Sequence, residues 1–215
     1  MSTSSHPTFT RPTFKSRVVP VIVVTHPTQA IPLAHALLEG GIDVMEITLR
    51  HAAGMTAIAQ VAQHVPAMHV GAGTVTRAHE MAMVKDVGAQ FALSPAISDS
   101  LVQAALDCRL PFMPGVMSPS EVMAARDYGF RLVKLFPAAQ AGGIHMLKAL
   151  SGPLGDMQFC PTGGVSLSNM QAFLSQPNVA LVGGSWIAPV PLIEAGDWSA
   201  ITQLARAATT LSLTP

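Results

Sequence analysis

From residue 17 onward one unit recurs along the chain: a short apolar run rich in β-branched residues, a turn, and a segment whose apolar positions have helical spacing. Eight runs read this way: RVVPVIVV (17–24), DVMEITL (43–49), MHVGAGTV (68–75), FALSP (91–95), PFMPGV (111–116), RLVKLFPA (131–138), QFCPTGG (158–164) and VALVGGSWI (179–187). Helices fit between them, as in PTQAIPLAHALLEGG, SDSLVQAALDCRL and SPSEVMAARDYGF, with Ser98 and Ser118 as N-caps and Gly40 or Gly129 as stops. The spacing suits a strand, a helix and two loops per unit, which parallel strands require. Eight units predict an α/β fold, a closed (β/α)8 TIM barrel, with an open doubly wound sheet as the alternative. Residues 17–215 then form a single domain after an N-terminal tail, 1–16, and no linker divides the rest.

Charge narrows the partners. Only 11% of the 215 residues are charged, and 12 Lys plus Arg balance 12 Asp plus Glu, so no basic footprint for nucleic acid exists. A small neutral substrate or a single anionic ligand remains open. With 49% hydrophobic residues, a monomer would expose apolar surface, which favours a homo-oligomer. Cys108 and Cys160 have neither metal-ligand nor disulfide-framework spacing and read as core thiols in a reducing compartment. The opening MSTSSHPTFTRPTFK lacks a signal-peptide core and no apolar run has membrane-spanning length, so a soluble cytoplasmic protein with no membrane partner is expected.

Alternation along a strand assigns faces. In the second run Met45, Ile47 and Leu49 suit the helix layer, which turns Glu46, Thr48 and Arg50 inward. Three inward polar residues cost stability unless they are paired or used. One reading is an internal Glu46–Arg50 ion pair; the other is a reaction site, because barrel sites lie at the C-terminal ends of strands. In the sixth run Val133 and Leu135 face helices, and Leu132, Lys134 and Phe136 face inward. Burial of Lys134 works against the ammonium form, and the free amine attacks carbonyls. A structural lysine paired with Glu46 is the competing reading, and that carboxylate would work the other way.

The last two units each carry paired glycines: PTGGV (161–165), before a helix expected to begin near Ser166, and VGGSW (182–186). Gly163, Gly164, Gly183 and Gly184 allow close approach of backbone N–H groups to an anion, and the Ser185 hydroxyl adds a donor. Loops after strands seven and eight are the habitual phosphate site of such barrels, although glycines also make plain turns.

Taken in order and with their spacing, VVPVIVV, MEITLR, GAGTV, FALSP, PFMPGV, VKLFPA, FCPTGG and VGGSW resemble the class I 2-keto-3-deoxy-6-phosphogluconate (KDPG) and 4-hydroxy-2-oxoglutarate (KHG) aldolases, from about Val18 to Ala208. The resemblance implies a homotrimer of (β/α)8 barrels that cleaves a phosphorylated 2-keto acid into pyruvate and glyceraldehyde 3-phosphate, without metal or cofactor. It makes Lys134 the Schiff-base residue and Glu46 the proton shuttle. By the same resemblance, Arg50 would hold the substrate carboxylate with Thr74 nearby. Pro95, Phe136 and Thr162 would line the pyruvyl pocket, and Gly163, Gly164 and Ser185 would bind the distal phosphate. Some relatives place the carboxylate-binding arginine at the end of strand one, where this chain reads VVTHP (23–27); that departs from the phosphogalactonate type.

Two other classes make distinct demands. A metal-dependent aldolase needs carboxylates or histidines converging at strand ends, yet Glu46 stands nearly alone, and His26, His51, His64, His69, His79 and His145 lack ligand spacing. A non-catalytic sugar-phosphate sensor would be expected to lack Lys134 or Glu46, and both are present. The methionines on helices, Met81 and Met83 among them, read as core filler, and Trp186 and Trp198 as packing residues.

Overall fold

The computed structural model describes residues 14–213. Its strands are β1 (Val18–Ile22), β2 (Val44–Thr48), β3 (His69–Gly73), β4 (Phe91–Leu93), β5 (Phe112–Met113), β6 (Gly115–Val116), β7 (Leu132–Leu135), β8 (Gln158–Pro161) and β9 (Val182–Gly184). All pairings between them are parallel, in one six-stranded sheet ordered β5-β4-β3-β2-β1-β9 and one three-stranded sheet ordered β6-β7-β8. The fold is therefore α/β with a curled parallel sheet. The expected fifth strand is broken at Pro114 into β5 and β6, which belong to different sheets. Proline has no N–H to donate to a ladder, but the Pro114 carbonyl still accepts from the Lys134 N–H at 2.9 Å. At the other junction, isolated parallel bridges join Phe159 to Val179 and Thr162 to Gly183.

The intervening helices are α1 (Ala30–Glu39), α2 (Ala53–His64), α3 (Ala78–Asp86), α4 (Asp99–Cys108), α5 (Pro119–Asp127), α6 (Gly143–Ser151), α7 (Met170–Leu174), α8 (Val190–Ala195) and α9 (Trp198–Ser212). Ser98 and Ser118 are N-caps, accepting from the N–H groups of Leu101 and Glu121. Gly129 follows α5 at φ 97°, where a side chain would be strained. One local device recurs on the loops leaving the strands. Gln29, Glu80 and Glu121 each accept hydrogen bonds from two N–H groups three and four residues upstream, and the Asn169 amide oxygen accepts from Ser166 N–H. This side-chain capping fixes each loop to the helix it feeds, and at Ser118, whose hydroxyl accepts from the Glu121 N–H, it is reciprocal.

Several expectations need correction. The helix after PTGGV starts at Met170 rather than near Ser166, because residues 167–169 form a turn held by the Asn169 side chain. Met81 is fully buried, but Met83 is 48% exposed, so it fills no core; the two lie on different faces of α3. Cys160 is buried and Cys108 only partly so. Most of the expected tail lies outside the described residues. Its last three residues pack on the body: the Phe14 ring lies 5.8 Å from that of Phe91, and the Lys15 and Ser16 N–H groups donate to the Asp43 carboxylate.

Candidate active site

β2 and β7 lie in different sheets, yet the side chains that alternation turns inward meet. Lys134 Nζ donates to Glu46 Oε1 at 2.9 Å and approaches Oε2 at 3.2 Å. Glu46 is 1% exposed and Lys134 5%. The internal Glu46–Arg50 pair is thus not formed, and Glu46 pairs with the lysine instead. On the helix side Met45, Ile47, Val133 and Leu135 are fully buried, as the alternation requires. Thr48, the other inward polar residue of β2, donates to the Ile22 carbonyl at 2.9 Å and ties β2 to β1. An ion pair this deep persists only where geometry offsets desolvation, and losing one partner strands the other charge.

Beyond the pair opens a cavity of about 290 Å³ lined by Arg50, Phe136, Thr162, Gly163, Gly164 and Ser185, with Val21, Val23, Val165 and Gly184 completing the wall. Arg50 is the one charged residue in that lining. Phe136 stands two residues beyond Lys134 on the same face, its ring centroid 5.4 Å from Nζ. Six of the residues expected at a substrate site therefore share one cavity next to the buried lysine. Thr74 and Pro95 do not line it. Thr74 follows β3, half-buried with φ 59°, an unusual conformation for a β-branched residue, and Pro95 follows β4 with its carbonyl against Gly115.

The glycines have two distinct causes. Gly163 and Gly164 adopt φ 91° and 82°, which favours glycine irrespective of any ligand. Their N–H groups make no hydrogen bond among the described residues and remain available as donors. Gly183 and Gly184 are required by space: a β-carbon would run into the Thr162 side chain at the first and the Trp186 ring at the second. Val21 and Val23 line the cavity without being singled out by the sequence. Alternation in VVPVIVV is the only local signal for them, and it is obscured because every residue there is apolar.

No group of three or more His, Cys, Asp or Glu side chains converges among the described residues. A larger groove, about 510 Å³, runs between α1 and α9 beside His35, Glu39, Trp198 and Arg206. None of the residues expected at a substrate site lines it. No helix of the described residues is long and apolar enough to cross a membrane.

The chain is 47% identical over 191 residues to the 2-dehydro-3-deoxy-phosphogluconate aldolase of Dickeya dadantii, covering 89% of this chain and 90% of that one. It is 45% identical over 191 residues to the KHG/KDPG aldolase of Escherichia coli, covering 89% and 90%. Among solved structures, the KDPG aldolase of Legionella pneumophila with pyruvate captured at low pH as a covalent carbinolamine intermediate superposes with a TM-score of 0.88 at 44% identity, covering 90% of this chain and 94% of that one. Residues 12–204 match the family model described as KDPG and KHG aldolase, and the chain belongs to that family.

Proposed function

We propose that the chain is a class I aldolase cleaving 2-dehydro-3-deoxy-6-phosphogluconate to pyruvate and glyceraldehyde 3-phosphate, and also acting on 4-hydroxy-2-oxoglutarate. The observation that carries this reading is the buried Lys134–Glu46 pair beside a cavity with one cation. The names of the relatives and the carbinolamine in the Legionella protein support it.

The chemistry follows from the pair. Proton transfer from Lys134 to Glu46 yields a free amine and a carboxylic acid at hydrogen-bond distance. The amine attacks the C2 ketone, and the acid returns its proton as the carbinolamine loses water, leaving an iminium. That iminium draws the electrons of the C3–C4 bond as Glu46 takes the C4 hydroxyl proton, releasing the aldehyde. Glu46 then protonates the enamine carbon, and hydrolysis frees pyruvate and Lys134. Arg50 holds the substrate carboxylate with Thr74, Pro95 contributes with Phe136 and Thr162 to the pyruvyl pocket, and Gly163, Gly164 and Ser185 take the phosphate. Anchoring both ends orients C2 toward the amine.

The same proposal includes a closed (β/α)8 barrel of one domain, supported by the isolated bridges Phe159–Val179 and Thr162–Gly183 and by the Pro114 carbonyl, between β5 and β6, accepting from Lys134 of β7. It includes a homotrimer in the cytoplasm; the apolar composition supports the association of copies.

Incubation with pyruvate followed by borohydride tests the mechanism. One pyruvyl-derived mass per chain, mapped to Lys134, is expected. Label on another lysine, or none, would overturn the covalent mechanism.

A further inference from the structure

Strand β3 carries two glycines, Gly71 and Gly73, that its backbone does not require. Neither has a positive φ, and both sit in regular parallel pairing, Gly71 opposite Glu46 and Gly73 opposite Thr48. Glycine inside a strand is destabilising and marks a close approach by another group. At Gly71 that group is the Phe91 ring. At Gly73 it is Glu46: a β-carbon there would lie 2.6 Å from the carboxyl carbon and closer still to Oε1 and Cγ. Glu46 is buried and its carboxylate already meets Lys134, so it has no flexible end to move into solvent.

We infer that Gly73 is a positioning residue: the missing side chain is the seat over which the Glu46 carboxylate lies, and it holds that carboxylate within proton-transfer distance of Lys134. This rests on the aldolase reading above. Any side chain at 73 would push Glu46 off its strand neighbour and out of line with Nζ.

The test is Gly73→Ala in three backgrounds. In the native background, kcat is expected to fall about a hundredfold, the cost of misplacing a reacting group by about an ångström. Exchange of pyruvate methyl protons with solvent, which reports proton delivery to the enamine, should fall in parallel. In the Glu46→Gln background the same substitution should change kcat by no more than about twofold, the scatter of uncoupled changes. A full hundredfold loss there would mean that Gly73 acts on something other than Glu46, and would overturn the inference. In the Glu46→Ala background the seat is vacant, so Gly73→Ala should leave the melting temperature of Glu46→Ala unchanged. This comparison holds even if the single variant fails to fold. A further loss of stability there would assign Gly73 to the backbone and likewise overturn the inference. Failure of the parent chain to form the pyruvyl adduct on Lys134 would instead remove the aldolase reading, a result separable from both.

Discussion

Lys134 and Glu46 stand 88 residues apart in the chain, yet the lysine Nζ lies 2.9 Å from a glutamate oxygen in the buried interior. Each side chain alone would be an uncompensated buried charge. Together they hold an amine and a carboxylate in contact, the nucleophile and the acid–base group of the proposed mechanism, and the predictions below follow from that contact and from the elements holding it.

Glu46→Gln keeps the shape of the side chain and removes the base. Steady-state turnover should fall by about two to four orders of magnitude, the range for a positioned acid–base group. Near-normal turnover would assign proton transfer elsewhere.

Ser185 lines the cavity beside Gly184. If its hydroxyl donates to the distal phosphate, a bond worth about 1.5 to 3 kcal/mol is lost in Ser185→Ala. The kcat/KM for the phosphorylated substrate should then drop about ten- to a hundredfold. Activity on 4-hydroxy-2-oxoglutarate, which has no phosphate, should barely change, and equal losses on both substrates would move Ser185 to a supporting role.

Burial acts to raise the Glu121 carboxyl, but the Met117 and Ser118 N–H groups and the Ser118 hydroxyl outweigh it, and the group titrates below its ordinary value of 4.5. A depressed folded value contributes stability above the unfolded one, lost as pH falls through the folded one. Denaturant midpoints of the parent and Glu121→Gln should therefore differ at neutral pH and converge in acid. A pH-independent gap would contradict this linkage.

The Asp43 carboxylate accepts from the Lys15 and Ser16 N–H groups and anchors the segment that carries Phe14 onto Phe91. The site is half open to solvent, so Asp43→Ala should cost about 1 to 2 kcal/mol of stability, toward and below the lower end of what hydrogen bonds to charged groups contribute. Turnover at the distant Lys134 should stay unchanged; a matching loss of kcat would mean that this segment reaches the site.

Much of this protein is written locally. The apolar alternation of MEITLR and RLVKLF turns Glu46 and Lys134 to the inner face, and the cap residues Ser98 and Ser118 start their helices, because periodicity and capping depend on neighbours within a few residues. The family likeness of those motifs carried the expected chemistry with them.

What the sequence could not decide depends on how the strands curve and register against one another. Glu46 had two candidate partners, Arg50 and Lys134, and only the arrangement of β2 and β7 selected the lysine. Met81 and Met83 are chemically identical, yet one is buried and one exposed. Gly163 and Gly73 read alike as letters. The first serves a positive φ, and the second makes room for a carboxylate from the neighbouring strand. Side-chain direction is a local property of the backbone, whereas contact is set by distances between strands far apart in sequence, and those exist only once the sheet has curled.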